Sequence, residues 1–267
     1  MYMSPKNDVN RHLSKRRSQG PSERSSGEFQ SFQMADLDMK FLLSLLKSKS
    51  HPFQGVACIP DTALCLFQGI SQVKSLYVEQ RTRKHCPKAR PGYRQNFEIR
   101  AGIVLTLSPP RLFVPPDLNQ AIQRCRDRGA RFAVLNMGIE YLESRRSHSN
   151  AVVIDFDENV LERFDSGGIQ KNEPLIRDLF HQAFPEYQYS GPSLQKIQRR
   201  DTDSWDGMCS TFTAWYVLAR LSHPHLSKRE VESLMSTGAA SQIRDKVLRL
   251  NAHIADTLRK HPRNSLR

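Results

Sequence analysis

Apolar residues are unevenly distributed along this chain. Residues 1–33 are rich in Ser, Arg and Gly with almost no apolar periodicity, a composition that cannot bury enough surface to offset the entropy of ordering. The pattern predicts a disordered basic tail over 1–33 and a folded unit over 34–267. From Met34 the apolar positions Met39, Phe41, Leu42, Leu43, Leu45 and Leu46 follow Asp36 and Asp38. That order predicts a short amphipathic helix with acidic residues at its positive end.

Two apolar runs predict strands, Ile99–Leu107 and Arg131–Met137. Between them Pro109, Pro110, Pro115 and Pro116 impose extended or turn backbone, and 117–128 predicts a helix with Asp117 as N-cap. The β-branched run Ala151–Phe156, the turn formers Asp157, Glu158 and Asn159, and Val160–Phe164 together predict a hairpin. Leu175, Ile176, Leu179, Phe180 and Phe184 share one face of a helix over 173–184. Residues 185–207 are polar and loop-like, with a Gly191-Pro192 turn. Segment 209–221 (CSTFTAWYVLARL) is apolar nearly all round, which predicts a helix buried in the core. Two further helices are predicted over 227–235 and 240–259, and there is no internal repeat.

Composition narrows the class. The 267 residues are 38% hydrophobic and 25% charged, with a mean hydropathy of −0.57, as in a soluble protein with a polar terminus. No stretch approaches the ~20 apolar residues of a membrane span, and no apolar segment follows the basic N-terminus as in a signal peptide. The expectation is an intracellular protein, in host cytoplasm or virion, without membrane contact. Cys58, Cys65, Cys86, Cys125 and Cys209 are scattered without CxxC pairs or zinc-finger spacing. Free thiols and no metal are therefore expected. The net charge of +13 invites DNA or another polyanion, since Lys and Arg clusters bind phosphate through counterion release. The tail supplies only part of that excess. A denser block, Arg81, Arg83, Lys84, Lys88, Arg90 and Arg94, surrounds Cys86 and is the candidate nucleic-acid contact, against the alternative of a solvated loop.

Chemistry concentrates around the predicted hairpin and the buried helix. Cys209 begins that helix after Asp206-Gly207-Met208, where unpaired backbone N–H groups and the positive dipole end would favour a thiolate. The competing reading is a core cysteine. His148 stands directly before the first hairpin strand, where an imidazole would point out from the strand end. His181, His223 and His225 are its competitors. Asp165 closes the second strand in ERFDSGG, so the hairpin would bring it beside His148 to hold the imidazole tautomer. A thiol, a base and an orienting acid so placed meet the requirements of thiol catalysis.

The order His, Asp, Cys in this setting resembles the clan of cysteine proteases that includes adenovirus protease and the ubiquitin-like-protein-specific proteases. Three segments, 131–168, PSLQKIQ at 192–198 and GMCSTFTAWYVLARLSHPHLS at 207–227, resemble proteases of that type encoded by large cytoplasmic DNA viruses. The resemblance covers the central third of the chain. It implies an α+β, papain-like thiol protease core of the adenovirus-protease type, with a mixed sheet packed against the nucleophile helix. It implies His148 as general base, Asp165 as orienting acid, Cys209 as nucleophile, no cofactor, and a viral precursor or ubiquitin-like conjugate as protein substrate. It also implies an oxyanion-hole glutamine before the cysteine, Gln195 or Gln198, at a longer spacing than in the ubiquitin-like proteases. The chain departs from the pattern in having Ser149 after the His, Phe212 in place of a Trp after the Cys, and Asp165 where the viral proteins often have Glu. Two alternatives stand beside this reading. One is a non-enzymatic basic virion or nucleic-acid-binding protein on a decayed protease scaffold. The other is an acyltransferase, which would require an acyl donor.

Overall fold

A computed structural model describes residues 53, 55–60, 63–68, 73–74, 98–100, 103–105, 110–141, 146–168, 172–193 and 208–260. The tail 1–33, the helix predicted near 39–46, the basic block 81–94 and both glutamines lie outside them.

The frame is a seven-stranded mixed sheet. Its members are β1 (Ala57–Cys58), β2 (Ala63–Gln68), β6 (Arg111–Phe113), β7 (Phe132–Tyr141), β8 (Arg146–Asp155), β9 (Val160–Phe164) and β10 (Gln188–Ser190), in the order β10-β9-β8-β7-β2-β6, with β1 also on β7. β7, β8 and β9 form an antiparallel meander; β1 and β2 pair in parallel with successive parts of β7, and β10 pairs in parallel with β9. A separate small sheet holds β3 (Val73–Lys74), β4 (Glu98–Arg100) and β5 (Ile103–Leu105). The single strand expected over 99–107 is thus two antiparallel strands, β4 and β5; Ala101-Gly102 lies between them, and a glycine there weakens a continuous strand.

The period-2 alternation of β7 and β8 divides the core in two. Phe132, Val134, Ala151, Val153 and Phe164 face α3 (Cys209–Ser222), α4 (Lys228–Ser236) and α5 (Ala240–Lys260). Ala133, Leu135, Met137, Val152, Ile154 and Leu161 face α1 (Leu118–Asp127) and α2 (Glu173–Ala183). On α3, Phe212, Tyr216, Val217 and Leu221 are buried, each contributing about 1.5–3 kcal/mol of hydrophobic stabilisation. Phe164 stacks on Tyr216 with ring centroids 4.3 Å apart, which locks α3 to the hairpin.

The hairpin turn is built locally. Asp155 Oδ1 accepts from the N–H groups of Asp157 (3.1 Å) and Glu158 (3.3 Å), and Asn159 takes φ 53°, a left-handed conformation asparagine tolerates. α4 starts in a capping box in which Ser227 and Glu230 bond each other's backbone. Asp117 stands at the N-cap of α1, but its side chain makes no cap bond.

One expectation is overturned. Cys58 and Cys125 form a disulfide joining β1 to α1, with Cα atoms 5.4 Å apart, and Cys65 is also disulfide-bonded. The paired cysteines lie 67 residues apart, and pairing depends on Cβ atoms meeting in space, which spacing does not reveal. Cys209 is free. Among the described residues no helix is long and apolar enough to cross a membrane.

Candidate active site

β8 carries the base. The expectation placed His148 just before a strand, but β8 begins at Arg146 and His148 pairs with Ile139 of β7. The polar stretch RSHSN is held as strand by cross-strand pairing and not by its own propensity. The last β8–β9 pair is Ala151 with Phe164, so Asp165 follows β9 at the same end of the hairpin as His148. Asp165 Oδ1 lies 2.7 Å from His148 Nε2 and also accepts from the Gly167 N–H at 2.8 Å. The turn closes with Gly168 at φ 76°, donating its N–H to the Asp165 carbonyl. A left-handed residue here suits glycine.

α3 brings the thiol. Cys209 is its first residue, and Met208 before it offers no side-chain cap, leaving first-turn N–H groups available to an anion. The Thr213 hydroxyl lies 3.1 Å from the Ser149 carbonyl and 2.8 Å from the Cys209 carbonyl. It ties the start of the helix to the residue next to His148. The thiol interacts with the His148 ring and with the backbone N–H groups of Ser149 and Ser210. Because Nε2 is engaged by Asp165, Nδ1 is the ring nitrogen left for sulfur.

Burial disfavours charge on all three groups, and their mutual interactions outweigh it. For His148, burial is countered by the charge and hydrogen bond of Asp165 and then by Cys209, which together push its pKa up to about 10. For Asp165, burial is countered by His148, Arg163 and the Gly167 N–H, which hold it at about 2. For Cys209, burial is countered by His148 and the two backbone donors, so its pKa falls below the ordinary thiol value. The three shifts run toward a thiolate beside an imidazolium, oriented by a carboxylate.

A polar cluster lies behind the carboxylate. Arg163, wholly buried on β9, donates from Nε to the Tyr189 hydroxyl (2.9 Å), from Nη1 to Asn150 Oδ1 (2.6 Å) and from Nη2 to Glu173 Oε2. Tyr189 donates to Glu173 Oε1 at 2.8 Å, and Arg163 Nη1 is 3.6 Å from Asp165 Oδ2. Gly191 leaves room for this cluster, since a Cβ there would lie 2.8 Å from Glu173 Oε1. Sequence reasoning missed these residues; Arg163 alone carries a local signal, a charge between the apolar positions Leu161 and Phe164.

The structure thus brings together His148, Asp165 and Cys209. Competing histidines are engaged elsewhere: His223 Nδ1 lies 3.0 Å from the Ala219 carbonyl, and the His181 and Tyr189 rings are 6.3 Å apart. Gln195, Gln198 and the basic block at 81–94 lie outside the described residues. Among the described residues no group of three or more His, Cys, Asp or Glu side chains could hold a metal ion.

No protein-family model matches the sequence, and no curated protein matches it. The chain is similar to a solved structure, the SUMO protease Ulp1 with the catalytic cysteine oxidized to a sulfenic acid. The TM-score is 0.41 and the identity 10%, over 100% of this chain and 97% of that one. A score of that size does not place the residues of one chain on those of the other.

Proposed function

We propose that this chain is a thiol hydrolase that cleaves peptide or isopeptide bonds in a protein substrate, a viral precursor or a ubiquitin-like conjugate, through Cys209, His148 and Asp165. The observation that carries the reading is the 2.7 Å contact between His148 Nε2 and Asp165 Oδ1 with the free thiol of Cys209 at a helix start beside the same imidazole.

The chemistry follows from that arrangement. The Cys209 thiolate attacks the scissile carbonyl carbon, and the oxygen takes up the displaced electron pair. The backbone N–H of Cys209 and a side-chain amide, from Gln195 or Gln198, would stabilise that oxyanion. The His148 imidazolium gives its proton to the leaving nitrogen, the C–N bond breaks, and the amine departs, leaving a thioester. Neutral His148 then takes a proton from water as it attacks the thioester. Collapse releases the carboxylic acid and restores the ion pair. Asp165 holds the ring with Nδ1 toward sulfur throughout.

The test is labelling of the full chain with an electrophilic thiol probe near neutral pH, with the labelled cysteine located by mass spectrometry. His148→Ala is expected to slow Cys209 labelling by about 10²-fold or more, and the wild type to release amine from a panel of ubiquitin-like and peptide amides. Labelling of wild-type Cys209 no faster than an unstructured cysteine would overturn the reading.

A further inference from the structure

Among the described residues Arg163 has the largest of the fully buried side chains. A buried guanidinium loses several kcal/mol of hydration, and replacing such an ion network by apolar side chains is often neutral or stabilising. Stability alone therefore does not account for it. Its position does: Asp165 Oδ1 is turned to His148 while Oδ2 lies 3.6 Å from Arg163 Nη1. Arg163 is itself fixed by Glu173, Asn150 and Tyr189.

We propose that Arg163, held by Glu173, is a positioning residue for the thiol chemistry: it keeps the Asp165 carboxylate ionised and aimed so that one oxygen stays on His148. The proposal rests on the thiol-hydrolase reading and extends it. Charges alternate from Glu173 at the first turn of α2 through Arg163, Asp165 and His148 to Cys209, so each buried charge has an opposite neighbour. Among the described residues the groups facing Asp165 include His148 from β8, Arg163 from β9 and the Gly167 N–H, with Glu173 and Tyr189 behind Arg163. Tyr189, raised by burial and by Glu173 despite Arg163, stays a neutral donor. Removing the guanidinium would leave Asp165 and Glu173 as two carboxylates around one cavity, and one of them would take up a proton.

The experiment compares the wild type with Arg163→Met and with the double variant Arg163→Met/Glu173→Gln, which leaves no stranded carboxylate if the single variant does not fold. Two readouts are taken on folded full-length protein. One is the titration of the Asp165 carboxyl by ¹³C NMR, in Cys209→Ala protein as well. The other is the pH profile of Cys209 alkylation. Arg163→Met is expected to raise the Asp165 midpoint, and the acid limb of alkylation with it, by roughly one to three units. The double variant moves both the same way by less. Profiles that coincide with wild type in the folded double variant would overturn the proposal, since a merely structural arginine changes stability and leaves them in place. Should wild-type alkylation show no dependence on His148, the hydrolase reading falls, and the carboxyl titration in Cys209→Ala protein still decides what Arg163 does.

Discussion

Arg163 and Arg220 are both buried arginines among carboxylates, at opposite ends of the same hairpin, and their surroundings differ. Arg220, on α3, bonds Glu162 through Nε and Nη2 (3.0–3.2 Å), Asp155 through Nη2 (2.9 Å) and the Pro224 carbonyl through Nη1 (3.2 Å). Its guanidinium also covers the Phe132 ring at 4.6 Å, and the Tyr216 hydroxyl donates to Glu162 Oε2 at 2.7 Å. That cluster fastens the C-terminal half of α3 to the turn end of the sheet. The Arg163 cluster lies toward the other end, where its contact with Asp165 is longer, 3.6 Å, and the carboxylate meets an imidazole at 2.7 Å. One arginine closes a structural joint, and the other leaves a carboxylate able to serve a reacting base.

That contrast predicts separable losses. The largest is at the reactive end: Asp165→Asn, which keeps shape and removes charge, is expected to slow Cys209 alkylation at neutral pH by about 10²-fold or more, and to lose the stability of about 2 kcal/mol that the depressed carboxylate contributes. At the structural end the order reverses. Arg220→Met takes from Glu162 its arginine, leaves Asp155 with Arg131, and is expected to cost about 3–5 kcal/mol in chemical denaturation, while the alkylation rate of the protein that stays folded holds within severalfold. Reducing the Cys58–Cys125 disulfide should cost about 2–4 kcal/mol in the same measurement.

The pH dependence of stability sharpens the comparison. The folded pKa of Asp165 is depressed to about 2 from 3.8, so its contribution, about 2 kcal/mol, is present above pH 3.8 and lost as pH falls toward 2. The folded pKa of His148 is raised from 6.5 to about 10, so its contribution is complete below pH 6.5 and lost as pH rises toward 10. Asp165→Asn is expected to flatten both limbs in melts across that range, while Arg220→Met lowers the curve without flattening them. The smallest effect belongs to neither cluster: Ser227→Ala, which removes a cap on α4, should cost about 1 kcal/mol with no change in alkylation.

The sequence was informative where one physical signal dominated. The β-branched run 151–156 and the turn formers after it announced the hairpin, and an apolar surface on all sides announced α3, so His148, Asp165 and Cys209 could be expected close together. The reading stopped where structure depends on distant partners. β10 is three residues inside a polar stretch, made a strand by parallel pairing to β9. The extension of β8 back to Arg146 depends on β7. Arg163 and Glu173 are buried only because α2 packs on β9 and β10 pairs along its edge, which no local window contains. The Cys58–Cys125 pairing was hidden for the same reason.

That disulfide also sets how the protein must be handled. Among the described residues Cys209 is the one free thiol, so the labelled position has to be located in each sample and not read from stoichiometry alone. Reductant changes the sample in more than one way: it regenerates a nucleophile that has become oxidised on standing, and it opens the clasp between β1 and α1 together with the disulfide at Cys65. Preparations made in strong and in weak thiol buffers are therefore different starting materials, and assays that mix them will report their purification history as well as their chemistry.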